Sequence, residues 1–158
     1  MLETVIIILG VALDRVAKWL AVSMVKPLPG GDYALWPGVF HITYVENTGA
    51  SFGILKNGGP VFIAIGVVVS AVILYLLLRR RARFPLWVRC SMAAVVAGTV
   101  GNMIDRFAHG HVIDFFYFKL IDFAVFNVAD ALMVVGMILI AVYLVFFYKQ
   151  PKRAGEKI

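Results

Sequence analysis

The run PVFIAIGVVVSAVILYLLL, Pro60 to Leu78, decides the class of this chain. It holds no charged residue, matches the roughly 20 residues that cross about 30 Å of hydrocarbon, and opens with a proline suited to the first turn of a helix. Such a run is a helix surrounded by lipid. It halts at Arg79-Arg80-Arg81-Ala82-Arg83, a charge run that anchors topology and carries no chemistry of its own. Composition agrees. Hydrophobic residues make up 62% of 158 positions and mean hydropathy is +0.92, against an apolar share of roughly 45–50% in soluble domains. A water-soluble fold of this length has no interior large enough to hide that surface.

Three further runs qualify on either side, Thr4–Val25, Trp87–Ile104 and Val128–Tyr148. They predict an all-α polytopic membrane protein with four transmembrane helices, forming a single membrane-embedded domain over residues 1–158. Asp14, Arg15 and Lys18 interrupt the first run, with Asp14 and Lys18 one turn apart on the same face. That face reads equally as an internally paired surface turned toward other helices and as a support for a polar site. The third run places Ala94, Gly98 and Gly101 on one face, where small residues let helices approach closely. Between the first two runs, turn residues flank Val39–Val45, whose alternation reads as a β-strand. Glu46–Gly53 follows, rich in small residues and read as a plain turn sooner than a binding loop. Arg106–Phe126 reads as a second loop, too apolar to float in water, whose phenylalanines suggest an interfacial segment. The tail Lys149–Ile158 reads as disordered.

Nine of the 15 Lys and Arg residues lie in segments 79–89 and 149–158, against four in the two opposite loops. This asymmetry predicts cytoplasmic termini and outward-facing loops. Basic residues gather at the ends of spans and are not interleaved with aromatics, which argues against a nucleic-acid partner. Cys90 stands alone, so no internal disulfide forms, and no His/Cys spacing suits a metal; neither metal nor cofactor is expected. Met1-Leu2-Glu3 lacks a charged leader and no small-x-small cleavage site follows, so the first span reads as retained.

Against this apolar background stand NMIDR (residues 102–106), GHVIDF (110–115) and FNVAD (126–130). Burying such carboxylates and amides costs several kcal/mol each unless they are paired or used. Asp14 has Arg15 and Lys18 beside it, and Asp105 has Arg106, so both can be neutralised locally. Asp114, Asp122 and Asp130 have no adjacent cation. Asp114 sits in an apolar run where desolvation raises its pKa. Asp130 has a plain structural role available, since Asn127 resembles a helix N-cap and an acid three residues on completes a capping arrangement. The residues alone leave open which two of these three work together. A proton-coupled transporter would also carry helical aspartates, but it calls for inverted repeats and acids near the midplane. A non-catalytic assembly subunit explains the small-residue face and leaves two unpaired aspartates unexplained.

These three segments, with Asp14–Lys18 and Asn47–Gly53, resemble the signature blocks of the bacterial lipoprotein signal peptidase (signal peptidase II) family. The likeness runs end to end in block order; Ala17, Ser51 and Ala97 depart from the usual residues, and none is an acid. The resemblance implies an aspartyl endopeptidase of the bacterial cytoplasmic membrane. Its substrate would be a lipid-modified prolipoprotein, cut just before the diacylglyceryl-bearing cysteine. The catalytic pair would be Asp114 and Asp130, supported by Asp14, Lys18, Asn47, Gly49, Asn102, Asp105, Arg106 and Asn127. The resemblance also implies an outward β-structured cradle near Val39–Val45 and an interfacial helix in part of the second outer loop. Beyond substrate and membrane lipid no partner is expected, and the chain is expected to be a monomer. With Asn127 as cap, Asp130 would lie in a helix's first turn, where backbone N–H groups favour its ionised form. Asp114, without that help, would hold the shared proton.

Overall fold

Polar side chains point inward and apolar ones outward in this fold, the reverse of a protein in water. The computed structural model describes residues 1–49 and 58–148. Part of the expected Glu46–Gly53 turn and the expected disordered tail lie outside the described residues. Helix α1, Leu2–Leu20, continues through a π-helical turn, Ala21–Val25. It buries Glu3, Asp14 and Lys18 while Ile8, Leu9, Leu13 and Trp19 are each more than half exposed. Only a lipid surround makes that arrangement stable.

Three helices are long and apolar enough to cross a membrane: α2, Gly59–Arg79; α3, Leu86–His109; and α4, Val128–Val142 with its π-helical extension to Phe147. The chain is a multi-pass membrane protein, mostly helical, with a small antiparallel sheet. Helix α1 covers the expected first span, but Glu3, Asp14, Arg15 and Lys18 set it apart from the other three in apolarity.

Helix α3 is the hub, packing on α1, α2 and α4. Its small-residue face does what the spacing predicts. A Cβ on Gly98 would collide with the Ala129 carbonyl of α4, and one on Gly101 would lie 2.7 Å from Asp14 Oδ2 of α1. Glycine is required where three helices meet around a polar centre.

The sheet lies at the end of the bundle where α1 and α3 finish. Its strands are β1, Asp32–Trp36; β2, Phe40–Asn47; and β3, Val112–Tyr117, in the order β1-β2-β3. Strand β2 matches the predicted strand with its ends adjusted. The second outer loop needs correction. Helix α3 runs past Ile104 to His109, Gly110 ends it in a left-handed conformation with φ 76°, and β3 follows at once. Among the described residues of that loop there is no interfacial helix, only a short 3-10 turn at Lys119–Ile121. Strand β3 escapes pattern recognition because both faces are covered. Ile113 and Phe115 pack with Ala21 on one side, and Val112 and Asp114 face a cavity on the other. A strand buried on both faces shows no polar–apolar alternation. The aromatic tip keeps part of the interfacial expectation, with Phe118, Leu120, Ile121 and Phe123 exposed.

After the tip the chain folds back on itself. Phe126 N donates to Phe116 O at 3.1 Å, and Phe126 O accepts from Phe115 N at 3.0 Å and Phe116 N at 2.8 Å. This bridge delivers Asn127 and the start of α4 to the side of β3.

Candidate active site

Two polar groups meet beneath the sheet. The first joins α1 to α3. Arg15 NH1 lies 2.5 Å from Asp105 Oδ1 and Arg15 NH2 2.7 Å from Asp14 Oδ2. Lys18 Nζ lies 3.0 Å from Asp14 Oδ2 and 2.7 Å from Asp105 Oδ2. Both aspartates are wholly buried and Lys18 nearly so. Two cations against two anions make a neutral quartet, which is how a low-dielectric interior holds ions. The carboxylates also reach the two elements that carry the other acids. Ile113 N donates to Asp105 Oδ2 at 3.2 Å, and Ala129 N donates to Asp14 Oδ1 at 3.1 Å. Each bond grips the chain one residue ahead of Asp114 or Asp130.

The expected pairing of Asp105 with Arg106 is not found. Consecutive helical side chains diverge by about 100°, so Asp105 turns to α1 and Arg106 turns away. Arg106 NH2 donates to Gly49 O at 3.1 Å, and its guanidinium lies 4.8 Å from the Phe62 ring centroid.

The second group contains Asp114 and Asp130. Asp114 is buried; Asn47 Nδ2 donates to its Oδ2 at 2.9 Å and Asn127 Nδ2 to its Oδ1 at 2.6 Å. Register explains the first contact. Asn47 opposes Val112, so Asp114 is its diagonal neighbour on the same face of the sheet. Asp130 Oδ1 accepts from Asn102 Nδ2 at 2.7 Å. Its Oδ2 accepts from Asn127 N at 3.1 Å, while Asn127 Oδ1 accepts from Asp130 N at 2.9 Å. This is the anticipated capping box. Asn127 therefore serves both carboxyls, one through its side-chain amide and one through its backbone. Asn102 links the two groups, its Oδ1 accepting from Lys18 Nζ at 2.9 Å and from Asn127 Nδ2 at 3.1 Å. Neither Asp114 nor Asp130 forms an ion pair among the described residues. Burial, reinforced by the neighbouring charge of Asp130, pushes Asp114 up to about 7, against the hydrogen bonds from Asn47 and Asn127.

Asp122, the third aspartate without a local cation, is exposed in a left-handed turn with φ 47°. The Tyr117 hydroxyl donates to it at 2.6 Å, and it shares no partner with the other two. Among the described residues no group of His, Cys, Asp and Glu is arranged to hold a metal.

The two carboxyls line one end of a cavity of about 320 Å³, together with Asn47, Gly49, Asn102 and Arg106. The cavity continues between α2, α3 and α4 along Phe62, Ile65, Val69, Met103, Met133 and Met137. A Cβ on Gly66 would lie 2.6 Å from Met103 Sδ, so glycine lets α2 pack closely against Met103 and Thr99 of α3. Sequence reasoning missed the apolar wall, although its signal was present. Met133 and Met137 follow Asp130 at i+3 and i+7, one helical face. Two carboxyls that share the partner Asn127, bordered by an apolar channel, suit an extended, largely apolar peptide.

A family model described as Signal peptidase (SPase) II matches residues 6–146. The chain belongs to the signal peptidase II family. It is 42% identical over 147 residues to the lipoprotein signal peptidase of Symbiobacterium thermophilum, covering 92% of this chain and 95% of that one. The lipoprotein signal peptidase of Clostridioides difficile is 38% identical over 156 residues, covering 96% and 100%. A solved structure described as a bacterial membrane enzyme superposes with a TM-score of 0.82 at 28% identity, covering 95% of this chain and 94% of that one. As a signal peptidase II family member the chain is a peptidase, and the expected supporting residues Asp14, Lys18, Asn47, Gly49, Asn102, Asp105, Arg106 and Asn127 all stand at the polar centre or its rim.

Proposed function

We propose that this protein is an intramembrane aspartyl endopeptidase that removes the signal peptide from diacylglyceryl-modified prolipoproteins, cutting just before the lipidated cysteine. The observation that carries the reading is the shared partner. Asn127 donates to Asp114 at 2.6 Å and to Asp130 at 3.1 Å, so two carboxyls that form no ion pair among the described residues face one cavity. Asp130, ionised in the first turn of α4, takes a proton from a water molecule. The water oxygen bonds to the scissile carbonyl carbon as Asp114 gives its proton to the carbonyl oxygen. The resulting gem-diol collapses: Asp130 passes its proton to the departing amide nitrogen, Asp114 recovers one from a hydroxyl, and the C–N bond breaks. Arg106 stands beside the acids and closes the rim against Gly49. The apolar wall of α2 and α4 receives the hydrophobic part of the signal peptide and the substrate's acyl chains.

All four helices span the cytoplasmic membrane in this reading, α1 included, because Asp14, Arg15 and Lys18 are paired within the internal quartet and Glu3 with Arg81 and Arg89. Both termini lie in the cytoplasm, and the sheet and the acids lie at the outer face. The enzyme acts as a monomer without metal or cofactor. The deciding experiment is hydrolysis, in detergent, of a synthetic prolipoprotein peptide with and without its diacylglyceryl group. Cleavage before the modified cysteine is expected, with the unlipidated peptide a very poor substrate, because each buried CH₂ contributes roughly 0.8 kcal/mol. Equal rates on both peptides would overturn the lipid requirement, and cleavage of neither would overturn the peptidase assignment for this substrate.

A further inference from the structure

The arginine run after α2 plays no part in the proposed chemistry, yet it does not simply point at water. Arg81 Nε lies 3.2 Å and Arg89 NH1 3.3 Å from the same oxygen, Oε1 of buried Glu3. One carboxylate thus gathers two guanidiniums from the α2–α3 connection onto the start of α1. Arg79, Arg80 and Arg83 make no ion pair among the described residues, so this corner carries a large excess of positive charge. Arg89 Nε is buried with no hydrogen-bond partner, leaving donor capacity at the site.

An apolar groove begins one helical turn away. Ile6 follows Glu3 on the same face of α1, and Leu86, Trp87 and Cys90 flank Arg89 on α3; with Leu139 of α4 they line a cavity of about 650 Å³. Leu86, Trp87 and Leu139 are exposed on the outside of the bundle, so the groove faces lipid. A Cβ on Gly136 would lie 2.7 Å from Ser91 O and from Val95, so glycine lets α4 close directly on α3 along this groove.

We infer that this corner binds one anionic phospholipid, its phosphate on Arg81 and Arg89 and one acyl chain in the groove. Charge complementarity selects the occupant. A zwitterionic lipid brings an ammonium group to a corner already in cationic excess, whereas an anionic headgroup completes the balance that Glu3 only begins. The inference is independent of the peptidase reading, because this corner lies at the opposite end of α3 from Asp114 and Asp130.

The test uses the purified full chain, equilibrated with equal amounts of phosphatidylglycerol and phosphatidylcholine bearing identical chains, with retained lipid read by native mass spectrometry. The wild type should retain one phosphatidylglycerol with a preference of at least about tenfold. The double substitution Arg81→Gln/Arg89→Gln should remove that preference, while Arg79→Gln/Arg80→Gln leaves most of it. Should the first variant fold poorly because Glu3 is stranded, Glu3→Gln/Arg81→Gln/Arg89→Gln removes the stranded charge and should show the same loss. Three results would overturn the site: no preference in the wild type, a preference that follows Arg79 and Arg80 instead, or displacement of the lipid by excess inorganic phosphate, which would mark a free-anion site.

Discussion

The same side chain serves in two adjacent places under opposite rules. Asp14 and Asp105 are wholly buried and held by Arg15 and Lys18 at 2.5 to 3.0 Å. Asp114 and Asp130 are their close neighbours and receive only amide hydrogens. The first pair is electrically finished and works as scaffold. The second has no such pairing, so a proton is the counter-charge within reach, which is what the proposed hydrolysis needs. The scaffold reaches the proposed working pair through the Ile113 and Ala129 amides and through Asn102. Its hydrogen bonds therefore set the geometry of the acids.

The most severe way to break this contrast is to neutralise the working pair. Asp114→Asn and Asp130→Asn should each lower turnover by more than about a thousandfold. Each protein should still insert and purify normally, and the double variant should be no worse than either single one, because the two carboxyls act as a unit. Peptide cleavage alongside thermal unfolding in detergent reads both quantities. Substantial turnover in either single variant would place the dyad elsewhere.

Breaking the scaffold should give the converse result. Asp14→Asn or Asp105→Asn strands buried cations and should cost about 3–5 kcal/mol of stability. A large drop in melting temperature would accompany any loss of cleavage. If these variants melted like the wild type, the quartet would not be the structural element described above.

A finer distinction comes from pH. The folded pKa of Asp114 is raised to about 7, against about 3.9 for an unfolded aspartate. Its contribution to stability is therefore complete below about pH 4 and declines as pH rises through about 7. The melting temperature should fall over that window in the wild type and fall less in Asp114→Asn. Turnover should decline above about pH 7 as the acid loses its proton. A melting temperature equally pH-dependent in both proteins would assign the titration to another group.

The smallest effect belongs to Asp122. Asn tolerates a left-handed backbone and still accepts from Tyr117, so Asp122→Asn should change stability by less than about 0.5 kcal/mol. Cleavage should be unchanged. A marked loss of activity would bring Asp122 into the chemistry and undo the division between two pairs.

Much of this was legible along the chain because it rests on local order. The helices followed from run length against bilayer thickness, the α3 contact face from the spacing of Ala94, Gly98 and Gly101, and the Asn127–Asp130 cap from its offset of three. The pairing of Asp14 with Lys18 followed from helical geometry. Only tertiary structure decided where Asp105 finds its cations, because adjacent helical residues face apart and its partners come from α1. Strand β3 depended on β2 for its hydrogen bonds and on α1 for one of its faces, neither of which is a local property. The separation of Asp122 from Asp114 and Asp130 was decided the same way. All three lack a neighbouring cation in sequence, but Asp122 ends in an exposed turn, and the Phe116–Phe126 bridge brings Asp114 and the first turn of α4 together. Composition and periodicity determine how each segment meets lipid; which carboxylates share partners depends on contacts between residues far apart in the chain.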